Sequence, residues 1–379
     1  MNKMRVTQTM LSMNTLRHIN QGYERLGKLQ DQLASQKKIT RAHQDPVVAM
    51  NGMRYRTQVT EVDQFKRNLA EVYNWMDSAD SALDITTQAL HRIRELTVQA
   101  SNDTFEPTQR ANIAKEIEQL RAHIESMANT KANNKYIFNG ANTMNAPVDT
   151  SKMNISVGDL PNYENGQLEV SFNGKVFQFD HAAGDTHTFV NGLETITIDV
   201  ATNTVTHTSP DPKSNTTPPA MVSNSLKDWN VTVSQVGAVS TNRQAVEIEI
   251  LKGVTLPVNV TPQNIFSNAL FGDIIRLENA LKDPSTKGED LTKLISNFDK
   301  HIDQFVAERA ELGARINRVE MVDSRLMEQE VIARRIMSNN EDVDIERTIV
   351  DLMTQESVHR AALSAGARIM QPTLLDFLR

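Results

Sequence analysis

The chain has 379 residues, no cysteine, 23% charged and 39% hydrophobic residues, and a formal net charge of −7. The missing cysteines exclude disulfides, thiol catalysis and zinc thiolate sites, and the acidic balance argues against nucleic-acid binding, which needs a basic face to displace counterions. No stretch approaches the roughly 18 to 20 apolar residues of a membrane span, so membrane insertion is not expected.

Residues 1–20 alternate polar and apolar side chains and lack the apolar core of a cleavable secretion signal. Val6, Met10, Met13, Leu16, Ile19, Tyr23, Leu26, Leu29 and Leu33 step by three or four. So narrow a stripe suits a coiled-coil seam better than a globular core face. Val62, Leu69, Met76, Leu83 and Leu90 then form one heptad series, and Phe65, Val72, Ala79, Ile93 and Ala100 most of a second, with Thr86 and Thr97 as polar exceptions. Pro107 suits the first turn of a third helix, where its missing amide hydrogen costs nothing. That helix carries Ile113, Ile117, Leu120, Ile124 and Met127.

Composition changes at about residue 139, where Asn, Thr, Val, Gly and Pro become frequent. Leu168, Val170 and Phe172, then Val176, Phe177 and Phe179, flank Asn173-Gly174, a strong signal for a two-residue hairpin. Ile196, Ile198 and Val200 face Val205 across a second turn. Trp229 to Ser234 and Ala245 to Leu251 read as further strands, and Pro210 to Pro219 as a loop.

Beyond the β segment, Leu291, Phe298, Phe305, Leu312, Val319, Leu326 and Ala333 occupy every seventh position with no proline among them. Such a register marks a helix seated against another helix, and a strut of about 45 to 50 residues would be roughly 70 Å long. Its partner is expected to be the 62-to-100 helix, with Leu312 in the seam and Arg315 on the solvated face. Val343 to Gln371 mirrors the first segment with Ile345, Ile349, Leu352, Val358, Ala362, Ala365 and Ile369, ahead of Pro372. Asp342 and Asp344 flank its start, where carboxylates stabilise exposed amides. Leu374, Leu375, Phe377 and Leu378 then form a dense apolar group that a monomer has no reason to expose.

The predicted fold is mainly α with an inserted β domain: a long antiparallel, coiled-coil-like rod built from both chain halves, with a β-rich outer domain at its tip. The expected divisions are 1–44, an N-terminal assembly helix; 45–138, rod; 139–263, outer domain; 264–340, rod; and 341–379, a C-terminal assembly helix. Leu69, Met76, Leu83, Leu90, Phe298, Phe305, Leu312, Val319 and Leu326 are the expected rod core. Leu16, Ile19, Leu26, Ile349, Leu352, Leu374, Leu375, Phe377 and Leu378 are the expected assembly interface. A lone helix with a thin apolar stripe does not offset its ordering entropy, so the ends should fold as they assemble.

Motifs for chemistry are sparse. There is no His-Glu-x-x-His, glycine-rich phosphate loop or dinucleotide fingerprint. Ser35 to Lys38 matches Ser-x-x-Lys, but two fixed positions arise readily by chance and the companion motifs are missing. Asn215, Asn230 and Asn259 begin triplets of glycosylation form, as an Asn/Thr-rich region produces by composition. No catalytic residue, cofactor or metal ligand is predicted.

Leu33-Ala34-Ser35, Lys38-Ile39, Ala42 and Asp45-Pro46-Val47 with Ala49 resemble the signature of the bacterial flagellin family, in a form similar to its hook-filament junction branch. Asn102-Asp103-Thr104, Arg110, Glu116-Ile117, Ala128 to Lys131 and Tyr136 to Gly140 resemble later parts of the same arm. Glu341 to Asp344, Gln355, Ala361 to Leu363 and Leu374 to Leu378 resemble the branch's C-terminal ending. The β insert has no recognisable counterpart. Two positions depart: the usual glycine of the signature is Gln36 and the first of its acidic pair is Gln44. That removes the residue a glycine-dependent turn needs, although Pro46 still bends or restarts the helix.

The resemblance implies a non-enzymatic structural subunit of the extracellular flagellum, laid as a ring of copies of itself between the neighbouring hook-associated junction protein and flagellin. It also implies export without a cleaved signal through the type III apparatus, escorted by a cytoplasmic export chaperone. Filament flagellin is the alternative reading, and a flagellin-like protein with an enzymatic outer domain a remote one.

Overall fold

Residues 8–102, 106–211 and 220–370 are described by the structure, a computed structural model. The chain begins with helices α1 (Gln8–Ser35), α2 (Pro46–Ala100) and α3 (Pro107–Ala128). Strands β1 (Lys131–Ala132), β2 (Lys135–Tyr136), β3 (Met153–Ile155), β4 (Leu168–Phe172), β5 (Lys175–Ala183) and β6 (Thr186–Asn191) follow. Then come β7 (Glu194–Asp199), β8 (Thr204–Pro210), β9 (Met221–Leu226), β10 (Thr232–Gln235), β11 (Glu247–Leu251) and β12 (Val254–Pro257). Helices α4 (Pro262–Ile265), α5 (Asn268–Lys282), α6 (Gly288–Glu341) and α7 (Ile345–Met370) complete the chain. The architecture is long helices from both chain halves with an antiparallel β domain inserted between them.

Two compact units emerge: residues up to Lys66 with those from Ser324 onward, and Arg67–Asp323. α2 and α6 contribute to both. In the first unit they run antiparallel, with Val59, Val62, Leu326 and Ala333 buried and Lys66 Nζ 2.8 Å from Glu330 Oε2. In the second they also run antiparallel, Arg309 Nε lying 2.7 Å from Asp80 Oδ1 and Arg94 Nε 2.5 Å from Asp299 Oδ1. Leu69, Met76, Leu83, Leu90, Phe298, Phe305, Leu312 and Val319 are all buried in that second unit. The heptad exceptions Thr86 and Thr97 are buried too, and their hydroxyls donate to Ala82 O and Ile93 O at 2.7 Å each. A helix interior accepts threonine on those terms because the hydroxyl finds the carbonyl one turn back.

Arg315 is not on a solvated face. Its side chain is mostly covered and Nη1 donates to Asn259 O at 3.1 Å. A heptad register locates the seam, but it does not reveal that the chain leaving the β domain covers a flank of the same helix.

The large sheet has the order β3-β10-β4-β5-β6-β7-β8-β9, with antiparallel neighbours. Its core gathers Leu168, Val170, Phe177, Phe189, Ile196, Ile198 and Val205. The Asn173-Gly174 turn is as expected: both residues have positive φ, 49° and 72°, and Phe172 pairs with Lys175. That is the geometry of a type I′ hairpin. The second turn also holds, since Ile198 pairs with Val205. Trp229 does not join a strand, because Asp228–Asn230 forms a short 3-10 turn and the indole Nε1 donates to Asp283 Oδ2 at 2.9 Å. β6 and β9 were not legible, and β8 carries through Pro210 into the expected loop, whose residues 212–219 lie outside the described ones.

Helix α5 joins the sheet to the helices. Nearly every residue on it is buried. Gly272 lets it approach β4, since a Cβ there would stand 2.7 Å from Ser171 Cβ. Thr232 Oγ1 donates to Gly272 O at 3.0 Å across the same contact.

Candidate assembly site

The first unit holds the segments where terminal helices meet the long ones. α1 ends at Ser35, and Gln36 follows with φ 56°. The left-handed turn therefore persists without glycine, at a steric cost of about 1 kcal/mol for a residue with a Cβ. Lys37 then forms an antiparallel bridge with Asp342. Lys38 N donates to Glu341 O at 2.7 Å and Val343 N to Gln36 O at 3.1 Å.

Side chains close this clasp. Arg56 Nε and Nη2 donate to Glu341 Oε1 and Oε2 at 2.8 and 2.7 Å, while Lys37 Nζ lies 2.6 Å from Asp342 Oδ1 and 3.4 Å from Glu341 Oε2. The Glu341 side chain is only 7% exposed. Gly52 gives it room, because a Cβ there would sit 2.7 Å from Oε1. The hydrogen bond from Arg56, and then its charge, holds the Glu341 carboxyl below the ordinary carboxylate range, and the Lys37 hydrogen bond does the same for Asp342. Beside the clasp lies a cavity of about 210 Å3 whose apolar wall includes Ile39, Ala42, Val48 and Met53.

The loop before α2 is organised by acceptors. Gln44 Oε1 takes Thr40 N at 2.8 Å and Arg41 N at 3.3 Å, so its amide oxygen fills an acceptor position that needs no charge. Asp45 Oδ1 accepts from Val47 N at 3.0 Å and Val48 N at 3.1 Å, capping α2 with Pro46 at its first position. At α7, Asp344 caps as expected, accepting from Arg347 N at 3.1 Å. Asp342 does not cap; Lys37 takes it. Nor do Ser35 and Lys38 form a dyad, since Ser35 Oγ donates to Asp31 O at 2.6 Å and Lys38 Nζ to Asn339 O.

α1 and α7 pack antiparallel through two glycines that the hydrophobic pattern could not reveal. A Cβ on Gly366 would lie 3.2 Å from Thr15 Cγ2 and 3.3 Å from Ile19 Cδ1, and one on Gly22 would lie 3.3 Å from His359 Nδ1. Tyr23 and His359 rings stand 5.9 Å apart nearby. Glycine-mediated contact brings the backbones close and leaves much of the apolar stripe outside the seam. Met10, Met13, Leu16 and Tyr23 on α1 are exposed, as are Ile345, Ile349, Met353 and Val358 on α7. Ile19, Leu26 and Leu352 are half-buried. Leu374, Leu375, Phe377 and Leu378, like Val6, lie outside the described residues.

The bacterial flagellin N-terminal helical region matches residues 6–143, which include α1, the clasp loop, α2 and α3. Over that arm the chain is similar to the flagellin family. It is 31% identical over 125 residues to a flagellin of Clostridium tyrobutyricum, covering 33% of each chain. It is 27% identical over 150 residues to flagellar hook-associated protein 3 of Escherichia coli (strain K12), covering 39% of this chain and 47% of that one. The likeness to these relatives thus spans less than half of their length. The fold is similar to that of a putative flagellar hook-associated protein from Vibrio parahaemolyticus, with a TM-score of 0.53 at 15% identity, over 79% of this chain and 100% of that one. Among the described residues, no helix is long and apolar enough to cross a membrane.

Proposed function

We propose that the chain is a structural subunit of the bacterial flagellum that joins hook to filament, with residues 1–44 and 341–379 as its assembly arms. The observation that carries the reading is the exposed apolar stripe on both α1 and α7, held beside the α2–α6 pair by a polar clasp. Exposed apolar faces of this kind mark surfaces that other chains cover. In the assembly, Leu16, Ile19, Leu26, Ile349 and Leu352 pack against neighbours, together with Leu374, Leu375, Phe377 and Leu378. The partners are further copies in a ring, the adjacent hook-associated junction protein, and flagellin. Export proceeds through the type III apparatus with a cytoplasmic chaperone, and the product is extracellular. The subunit carries no catalysis.

Asp45-Pro46-Val47 supports the junction over the filament. The relatives named flagellin keep the filament reading as the second one. Immunogold labelling of intact flagella decides between them: a narrow band at the hook-filament boundary is expected, and label along the filament overturns the junction reading. Deleting the gene should leave hooks and shed flagellin into the medium.

A further inference from the structure

Unit Arg67–Asp323 contains a groove of about 610 Å3, lined by the β4–β5 turn, the end of β9, α5 and α6. Four cations line it, Lys175, Arg276, Lys293 and Lys300, against one carboxylate, Asp290. The central cation is unusual for its burial. Arg276 is 7% exposed, its guanidinium carbon lies 4.9 Å from the Phe172 ring centroid, and Nη1 donates to Asn173 Oδ1 at 2.6 Å. Its Nε is buried with no hydrogen-bond partner. The adjacent carboxylate, Asp273, stands 4.0 Å from Nη1 and turns its Oδ2 to His301 Nε2 at 3.0 Å. A buried guanidinium with an idle N–H lacks an acceptor.

Of the other cations, Lys300 is the one most available to such an acceptor. Lys300 makes no ion pair among the described residues. Lys293 with Asp290 is a solvent-exposed pair at 3.3 Å, weakly held and open to exchange, and Lys175 is exposed but paired at 2.7 Å with a half-buried Glu194. Asn230 and Ser225 bring an amide and a hydroxyl to the lining that bond to no described side chain. A cavity of this size holds a ligand of sugar dimensions.

The geometry points to a binding site for a hydroxylated organic anion with the chemistry of a sugar acid, its carboxylate on Arg276 and Lys300 and its hydroxyls on Asn230 and Ser225. The site lies between the β sheet and helices α5 and α6 of unit Arg67–Asp323 and stands independently of the junction reading.

Sodium glucuronate is the probe, titrated calorimetrically into the full chain at constant ionic strength, with glucose and inorganic phosphate as comparisons. Saturable one-site binding is expected for glucuronate, with glucose and phosphate both weaker by about tenfold or more. Lys300→Glu, on an exposed helix face, should keep the wild-type melting temperature and weaken glucuronate by a similar factor, as should Arg276→Gln. Should Arg276→Gln fail to fold, Lys300→Glu decides alone. Absence of saturable glucuronate binding, equal affinity for glucose or phosphate, or unchanged affinity in Lys300→Glu overturns the assignment.

Discussion

Replacing Glu341 with glutamine keeps the shape of the clasp and removes the charge that organises it. A bidentate, charge-assisted hydrogen bond contributes about 1.5 to 3 kcal/mol when desolvated. Glu341 meets that condition at 7% exposure, but the Arg56 side chain is 65% exposed. Solvent screening on that side brings the expected coupling down to about 1 kcal/mol. The effect should be local, because the amides of Lys38 and Val343 donate across the clasp to Glu341 O and Gln36 O. Hydrogen exchange at those two amides should therefore quicken roughly fivefold in Glu341→Gln. A cycle with Arg56→Gln isolates the pair, since the double substitution should add little to either single one. Both carboxylates of the clasp titrate below their ordinary values of 4.5 and 3.8. Lowered folded-state values mean stability that is present above the ordinary value and lost as pH falls through the folded one. The protection should accordingly persist at pH 6 and fade below about pH 4. Glu116→Gln, which breaks an exposed pair with Arg92, serves as the control and should leave both amides unchanged. Unaltered exchange at Lys38 and Val343 in Glu341→Gln, or equal effects from the control, would refute the clasp.

Gln36→Gly should relieve the left-handed backbone by about 1 kcal/mol locally and slow hydrogen exchange at the Lys38 and Val343 amides roughly fivefold; faster exchange would show that the turn owes its form to the Gln36 side chain. Leu312→Asp should cost several kcal/mol, because it buries an unpaired carboxylate in the seam, while Arg315→Asp should cost a smaller but measurable amount through the bond to Asn259 O. Equal losses would refute the register. Glu169 and Glu278 are both pushed above the ordinary carboxylate value by burial, and raised values mean stability that is present below the ordinary value and lost as pH rises through the folded one. The unit containing both tryptophans, Trp75 and Trp229, should thus melt higher at pH 5 than at pH 7 when followed by tryptophan fluorescence, and no rise would count against that burial. A chain cut to residues 45–341 should keep the full-length melting temperature yet fail to enter flagella, and deletion of Leu374 to Arg379 should likewise spare the melt while abolishing motility; a melting point lowered by many degrees in the first, or normal swimming in the second with export confirmed, would sink the assembly role of the ends.

The sequence alone determined the elements whose signal is local. Heptads from Leu69 to Leu90 and from Phe298 to Leu326 mark one face of each helix for burial, and that face is buried. Asn173-Gly174 specifies its turn by backbone preference alone, and the turn forms. The tertiary structure decided which remote groups meet. Lys37 and Asp342 lie 305 positions apart, and nothing in either segment names the other. Gly22 and Gly366 have no side chain to enter a hydrophobic pattern, yet their smallness sets the α1–α7 contact. Gln36 looked like the loss of a turn, because a missing glycine shows in sequence while the contacts that hold a strained residue in place do not. Periodicity states that a face will be buried; only the folded chain supplies what buries it, since ion pairs, close glycine contacts and the placement of β10 between β3 and β4 depend on distances that no local pattern encodes.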